Sequence, residues 1–369
     1  MHRRRLWMET AIWIGTVILW TGSGAADAQQ GDEAGPRFGG LIEVSEVLLD
    51  VVATDPEGHA VVGLRADDFI VEEDGEAVPI TSVSYYTTRY NLDGPIPGAV
   101  PEVPASRYFV LFFHDQTRYG YFGTTLLRQQ LEAGRQSVRW VEEELAPSDW
   151  VAVVSYGVRL RVYQDFTQDR EALGQAIRDA VSGRESRGAN SRSRRTARRE
   201  ELSILKRLPP ARELRRQTTN IYDAMILVSE AMGSVVGRKN LMLFTLGFGE
   251  RVGNGRFTRP DPRYYPALEA ALNDHNVAVY PINLTPAGRE PTQSDFLQQL
   301  ASDTGGYYHE DFVGFMSPLT ATSEENHGYY LISYQTEHPA GETGYQRVEV
   351  KARNEGLRIR SRTGYRYGS

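Results

Sequence analysis

The stretch that decides the fold is the run from Tyr108 to Phe113 (YFVLFF), which leads into His114-Asp115-Gln116-Thr117. Six consecutive apolar residues indicate a strand buried on both faces, because a strand with one wet face alternates apolar and polar residues. Similar runs recur at 150–155 (WVAVVS), 240–246 (NLMLFTL) and 277–284 (VAVYPINL). We therefore expect at least four strands in the centre of one sheet.

Segments with helical periodicity separate these strands. Apolar residues recur at steps of three and four from Leu127 to Leu145, and again at Leu173, Ile177 and Val181. Segments 224–236 and 265–273 are predicted to be helical, and Ser294 is predicted to cap a helix that stops at Gly305-Gly306. Segment 160–166 alternates like an edge strand. Alternation of strands and helices predicts a parallel sheet with helices on both faces.

Both ends of the chain are rich in β-type sequence. Segment 41–90 contains Asp74-Gly75, a strong hairpin signal because a type I′ turn needs positive φ at both positions. Segment 328–369 contains three further strand-like stretches, and segment 91–106 is a Pro- and Gly-rich linker. We expect an α/β domain over 107–327. Two arrangements of the β ends stay open: one sandwich with the α/β domain inserted, or two separate β units.

Composition excludes several classes of protein. The chain has 369 residues and no cysteine, which excludes disulfides, thiol catalysis, iron–sulfur clusters and zinc sites with Cys ligands. Its 41 Lys and Arg against 48 Asp and Glu give a net charge of −7, which argues against coating nucleic acid by bulk charge.

The N-terminus has the pattern of a secretory signal peptide over 1–28. A basic start (His2 to Arg5) precedes the ten apolar residues of 11–20, and the segment ends in Ala26-Asp27-Ala28. A membrane anchor that is never cleaved is the alternative, although the apolar run is short for a bilayer. We expect export to the periplasm or beyond, disorder over 29–40, and no transmembrane span in the mature chain.

Several motifs together resemble the von Willebrand factor type A-related family of secreted bacterial (acidobacterial) proteins. They are His114-Asp115-Gln116-Thr117, the segment TTNIYD at 218–223, the segment GRKN at 237–240 and the string VGLRADDFIVEEDGE at 62–76. The resemblance covers about 41–367 and rests on the order and spacing of the motifs. It implies a doubly wound α/β domain of the von Willebrand A type, Rossmann-like in its winding and flanked by β structure. Such domains usually bind proteins or other ligands and usually lack catalysis.

The resemblance also implies a position for the binding site. The family places a metal-ion-dependent adhesion site at the carboxyl ends of the strands, built from Asp-x-Ser-x-Ser, a Thr of a second loop and an Asp of a third. Mg²⁺ in such a site needs six oxygen ligands, several of them water. The corresponding residues here are Asp115, Thr117, Tyr119, Thr219 (or Thr218) and Leu246.

This sequence departs from the motif at two of those positions. Tyr119 stands in place of the second Ser, and Leu246 stands in place of the Asp, so one carboxylate remains. We expect a degenerate adhesion site that binds its ligand without metal, with Asp115, Thr117 and Thr219 as the ligands if Mg²⁺ binds at all. No other cofactor is expected. The plain structural alternative is that Asp115 ends a strand and accepts hydrogen bonds from the following turn.

A basic insert over Arg184 to Arg216 is the strongest anomaly of composition. It holds 12 Lys and Arg against 4 Asp and Glu, so the rest of the chain after residue 28 carries a net charge near −16. A solvated loop is one interpretation, with disorder over its first half and one helical turn around Leu202, Leu205 and Leu208. The other interpretation is an arm for an anionic partner such as acidic polysaccharide, phospholipid headgroups or an acidic protein face. Nucleic acid is not expected, since the insert has no aromatic residue to stack on bases.

These features predict an exported, non-enzymatic binding protein whose ligand, a protein or an envelope component, meets the carboxyl face of the sheet. Two rival classes stay open. One is a structural component of a cell-envelope assembly, and the other is a hydrolase with an unrecognised site. No Walker loop, H-E-x-x-H or G-x-S-x-G motif supports the second rival.

Overall fold

A computed structural model describes residues 42–87, 106–117, 123–184, 202–253, 257–285, 293–309, 314–339 and 342–368. The predicted signal peptide over 1–28, the segment 29–40, most of the predicted linker 91–106, Tyr119 and the first half of the basic insert lie outside these residues. The predictions for those segments therefore stay predictions.

Fifteen strands and eight α-helices are found in the described residues. The strands are β1 (Ile42–Thr54), β2 (Phe69–Glu73), β3 (Glu76–Val78), β4 (Ile80–Thr87), β5 (Tyr108–His114), β6 (Trp150–Tyr156), β7 (Leu160–Thr167), β8 (Lys239–Thr245), β9 (Glu250–Val252), β10 (Phe257–Arg259), β11 (Val277–Asn283), β12 (Gly328–Pro339), β13 (Gly344–Ala352), β14 (Arg358–Arg360) and β15 (Gly364–Tyr367). The helices are α1 (Gly123–Glu143), α2 (Arg170–Ser182), α3 (Ile204–Arg207), α4 (Ala211–Gln217), α5 (Ile221–Ala231), α6 (Tyr265–Asp274), α7 (Ser294–Asp303) and α8 (Met316–Glu325).

The central sheet has five strands in the order β11-β8-β5-β6-β7. Its strands are parallel except β7, which pairs antiparallel with β6 at the edge, as the alternating sequence predicted. The strand β5 lies in the middle of the sheet and is buried almost throughout, as its unbroken apolar run predicted. The chain therefore has a mixed α/β fold with a mostly parallel central sheet.

Alternate residues of β5 feed two separate hydrophobic cores. Val110 and Phe112 point into one core, with side chains of α3, α5, α6 and α7. Phe109, Leu111 and Phe113 point into the other, with side chains of α1, α2 and α8. The helix α1 leads from β5 to β6, and α6 leads from β8 to β11 in the other direction along the sheet. Because crossovers between parallel strands are right-handed, the two helices lie on opposite faces of the sheet.

Both β-rich ends of the chain contribute strands to the same two antiparallel sheets. One sheet has the order β14-β1-β12-β4 and the other the order β15-β13-β2-β3. They share a third core, which includes Leu49, Phe69, Tyr330 and Val350. The predicted hairpin at Asp74-Gly75 is confirmed, with φ of 48° and 87° at the two turn residues. Residues 106–326 are thus inserted between β4 and β12 of a β-sandwich.

The sandwich contacts the central unit near the amino ends of the parallel strands. Asn276, just before β11, donates a side-chain hydrogen bond to Asp50 of β1. Asp274 forms an ion pair of 3.0 Å with Arg366, and Asn273 donates to the Tyr345 hydroxyl at 2.9 Å. The carboxyl ends of the parallel strands therefore face away from these contacts.

Several details differ from the sequence-based expectations, among them the start of α7 and the presence of α4, α8, β9 and β10. Ser294 is the first residue of α7 and not its cap, since the N-cap is Gln293 and makes no capping bond. The helix α8 was not predicted, because its segment MSPLTATSEE has no clear apolar period. Within the described residues, no helix is long and apolar enough to cross a membrane.

Candidate functional site

The strand order reverses between β5 and β8, so their carboxyl ends form the crevice where open α/β sheets usually bind ligands. Asp115 follows β5, and Leu246 follows β8. The structure thus brings the loops that carry these two sequence-predicted residues to adjacent strand ends.

One oxygen of the Asp115 carboxylate accepts hydrogen bonds from the turn that follows it. Its Oδ1 accepts from the Thr117 hydroxyl at 2.6 Å and from the Thr117 amide at 3.1 Å. The Asp115 amide donates to the carbonyl oxygen of Tyr156, at the end of β6, at 2.7 Å. This geometry is the turn that the plain structural interpretation of Asp115 predicted.

The side chain of Gln116 joins the two loops. Its Oε1 accepts from the Leu246 amide at 2.8 Å and from the Thr245 hydroxyl at 3.2 Å. Its Nε2 donates to the Gly247 carbonyl oxygen at 2.9 Å. Gly247 has φ of 98°, a conformation that glycine adopts without strain. The amide group of Gln116 therefore forms hydrogen bonds that join the loop after β5 to the loop after β8.

Below this bridge lies a buried pair, His114 and Thr245. The Nδ1 atom of His114 is 2.9 Å from the Thr245 hydroxyl, which also accepts from the Gly247 amide at 2.9 Å. Burial lowers the pKa of His114 to about 3, against a smaller opposing effect of Asp115, so the ring is neutral at pH 7. Thr245 has no exposed surface. The pair is a structural link and not a reachable nucleophile and base.

Thr218 and Thr219, in the loop between α4 and α5, form hydrogen bonds to these two helices. The Thr218 hydroxyl donates to the Leu214 carbonyl oxygen at 2.7 Å, at the end of α4. The Thr219 hydroxyl donates to Asp223 at 2.8 Å, beside the start of α5, and the residue is exposed. Neither hydroxyl is bonded to Asp115.

The surface beside Asp115 is partly apolar. Leu246 packs on the core formed with α1, α2 and α8. Val158, in the turn between β6 and β7, is 68% exposed. Its neighbour Gly157 lies against Asp115, close enough that a Cβ there would come within 3.2 Å of the Asp115 Cβ. Val158 was not singled out from sequence, since one valine in a turn carries no pattern.

The residues at this edge do not fit a Mg²⁺ ion. Asp115 offers one carboxylate, which the Thr117 hydroxyl already contacts, and Leu246 offers no side-chain oxygen. The Thr219 hydroxyl is bonded to Asp223. Mg²⁺ requires a near-octahedral set of oxygens, and no three acidic or histidine side chains of the described residues come together as a metal site.

Sequence reasoning missed two residues that fix local structure, Gln116 at this edge and Asp165 beside the amino half of β6. Gln116 was treated as a spacer of the motif, although an amide next to a strand end has both a donor and an acceptor. Asp165 of β7 is buried and accepts from the Ser203 hydroxyl at 2.6 Å and from the Ile204 amide at 2.8 Å. It thereby holds the start of α3, the short helical turn that was predicted near Leu205.

Comparison with known proteins gives distant structural matches. No family model and no curated protein matches the chain. BatB, a conserved hypothetical protein from Bacteroides thetaiotaomicron, is 15% identical over 59% of this chain and 96% of its own, with a TM-score of 0.37. The ArnB paralog VWA2 from Sulfolobus acidocaldarius is 10% identical over 88% and 74%, with a TM-score of 0.30. A von Willebrand factor type A protein from Catenulispora acidiphila is 9% identical over 89% and 72%, with a TM-score of 0.33.

At these identities and TM-scores the likeness carries no argument about function. The fold described here rests on the strand order and on the cores that cover both faces of the central sheet.

Proposed function

We propose that this chain is an exported, non-enzymatic binding protein with a doubly wound domain of the von Willebrand A type. Its ligand is a protein or another envelope component, and it meets the carboxyl edge of the central sheet without a metal ion. The observation that carries the proposal is the bridge of Gln116 between the loops after β5 and β8. An amide that already joins both loops gives the edge a fixed shape with no need for a cation.

The surroundings of the bridge support a contact surface. Val158 is exposed beside Asp115, and Thr219 is exposed at the start of α5. The sandwich occupies the opposite end of the parallel strands, so it leaves this edge open. The crevice at the carboxyl strand ends is also where open α/β sheets usually bind ligands.

A non-enzymatic role is supported by the same residues. Catalysis by a hydroxyl nucleophile needs a reachable nucleophile, a base and an orienting group in one pocket. The His114–Thr245 pair is the nearest such arrangement at this edge, and Thr245 is fully buried and hydrogen-bonded on its far side.

Site-specific photo-crosslinking tests the proposal. A photo-reactive residue replaces Val158 in one variant and Val236 in a matched control, since Val236 is 86% exposed in the turn that precedes β8, at the opposite end of the strands. Each variant is incubated with the envelope fraction of the source organism, with and without EDTA. We expect a discrete adduct from position 158 alone, equally strong in EDTA.

Equal adducts from both positions would show non-specific contact and contradict the proposed surface. Loss of the position-158 adduct in EDTA would contradict its independence of metal.

A further inference from the structure

A large cleft lies between the sandwich and the central unit. Its volume is about 1930 Å³, well above the range of about 300–1,000 Å³ typical of small-molecule pockets. Residues of α6, α7 and α8 form one wall, and residues of β2, β13 and β14 form the other. A cleft of this size accepts a piece of macromolecule more readily than a metabolite.

Acidic side chains predominate along the cleft. Eight carboxylates line it against four arginines, all taken from the described residues: Glu57, Glu72, Asp74, Glu269, Asp303, Glu324, Glu325 and Glu349, with Arg259, Arg347, Arg358 and Arg360. Arg360 and Glu325 pair with each other at 2.8 Å, and Arg259 pairs with Glu250 outside the cleft at 2.9 Å. Lys351 pairs with both Glu72 and Glu349, at 2.8 and 3.2 Å, which leaves carboxylates in excess of cations along the cleft. The cleft therefore carries an excess of negative charge. A concave surface of low dielectric constant concentrates the electric field of such charges, which attracts cationic groups.

A basic patch lies on α3 and α4, the described part of the basic insert. It consists of Arg207, Arg212, Arg215 and Arg216, all exposed. None of the four forms an ion pair with a described residue. The adjoining segment 185–201, outside the described residues, adds six Arg and three Glu by sequence.

The cleft and the patch lie towards opposite edges of the central sheet, on the same face. The helix α3 packs against β7, whereas α7, which lines the cleft, packs against β11. These strands are the two edges of the five-stranded sheet, four strand spacings or about 19 Å apart. The patch of a molecule therefore does not fill its own cleft, but it is free to enter the cleft of another molecule.

We propose that the basic patch of one copy of this chain docks into the acidic cleft of a second copy. The contact joins two different surfaces, so it is head-to-tail and leaves one patch and one cleft open for further copies. Opposite charge at the two ends favours association at low salt and weakens as salt screens the charges. The residues involved exclude Asp115, Gln116 and Leu246, so the inference stands or falls separately from the proposed function.

Sedimentation velocity of charge-reversed variants tests the proposal. The cleft variant is Glu57→Lys with Glu349→Lys, and the patch variant is Arg212→Glu with Arg215→Glu; all four side chains are exposed. Arg128→Glu with Arg178→Glu, exposed on α1 and α2, is a control that makes the same change of net charge as the patch variant. Circular dichroism and thermal melts verify that each variant is folded.

For the wild type and the control, we expect the sedimentation coefficient to rise with concentration at about 20 mM salt and to return to the monomer value at about 500 mM. Each reversed variant alone should associate at least about tenfold more weakly, because one side of the contact becomes like-charged. An equimolar mixture of the two reversed variants should associate again, since each then meets opposite charge on the other.

A wild type that stays monomeric at low salt overturns the proposal. Association that is not weakened in either reversed variant also overturns the proposal. A mixture of the two reversed variants that fails to associate overturns it as well.

Discussion

At the scale of single residues, the buried ring of His114 links stability to pH. Its native pKa of about 3 lies below its ordinary value of about 6.5, so between these values the unfolded chain binds a proton that the native protein excludes. Stability should therefore fall as pH drops from about 6.5 towards 3, with a slope approaching about 1.4 kcal/mol per pH unit. His114→Asn, which keeps a polar atom towards Thr245, should flatten this slope in urea unfolding experiments.

The control for that experiment is His59→Asn, because the side chain of His59 is 79% exposed. We expect it to keep the wild-type slope. An unchanged slope in His114→Asn would show that other groups carry the acid sensitivity.

The identity of residue 246 should also decide the affinity of this edge for Mg²⁺. With Leu246 at the position where the resemblance to von Willebrand A domains implies a carboxylate, calorimetry should detect no Mg²⁺ binding tighter than about millimolar, because one carboxylate cannot supply the oxygens that the ion requires. Leu246→Asp with Tyr119→Ser should strengthen binding. A micromolar site in the wild type that Asp115→Ala abolishes would contradict this prediction.

At the scale of elements, one carboxylate fixes the start of α3 and with it the basic patch. Asp165 is 4% exposed and accepts from Ser203, Ile204 and the Phe166 amide. Asp165→Ala should leave buried donors unpaired and lower the free energy of unfolding by about 1–3 kcal/mol. Amide exchange over 203–207 should also become faster.

A matched control for this element is Asp169→Ala. Asp169 caps α2 by accepting from the Ala172 amide at 3.1 Å, so its loss should cost about 1 kcal/mol. Exchange over 203–207 should be unchanged in this control. Equal acceleration in both variants would mean that α3 responds to global stability and not to Asp165.

At the scale of the whole molecule, Glu269 lies at the cleft between the sandwich and the central unit and has a raised pKa. Burial, and then the charge of Asp303, raises the pKa of Glu269, while Arg347 and a hydrogen bond from Thr363 of the sandwich lower it. A raised native pKa means that the native protein holds the proton longer than the unfolded chain. This stabilising contribution is complete below the unfolded value of about 4.3 and is lost as pH rises through the native pKa.

Glu269→Gln should therefore raise the melting temperature at pH 7, since it removes a half-buried charge and keeps the size and shape of the side chain. The gain should shrink near pH 4, and the exposed Glu355→Gln should show no such trend. A variant less stable than wild type at pH 7 would mean that the attraction of Arg347 outweighs burial at this position.

Much of the architecture followed from local pattern. The unbroken apolar run of β5 reflects burial on two faces, and the Asp74-Gly75 turn reflects positive φ. The alternation in β7 predicted its place at the edge of the sheet, although the second half of the strand is buried throughout. The short helix α8 and the strands β9 and β10 did not follow, because segments of three to ten residues without a clear period carry little such signal.

The sequence by itself determined the mixed α/β fold with a mostly parallel sheet and the strands that are buried on both faces. Only the tertiary structure decided that both ends of the chain build one sandwich, that Gln116 closes the crevice between β5 and β8, and that acidic and basic surfaces lie at opposite edges of the sheet. The reason is physical. Burial and backbone conformation act between near neighbours in the chain and leave a periodic trace, whereas a hydrogen bond between residues 130 positions apart, as from Leu246 to Gln116, leaves none.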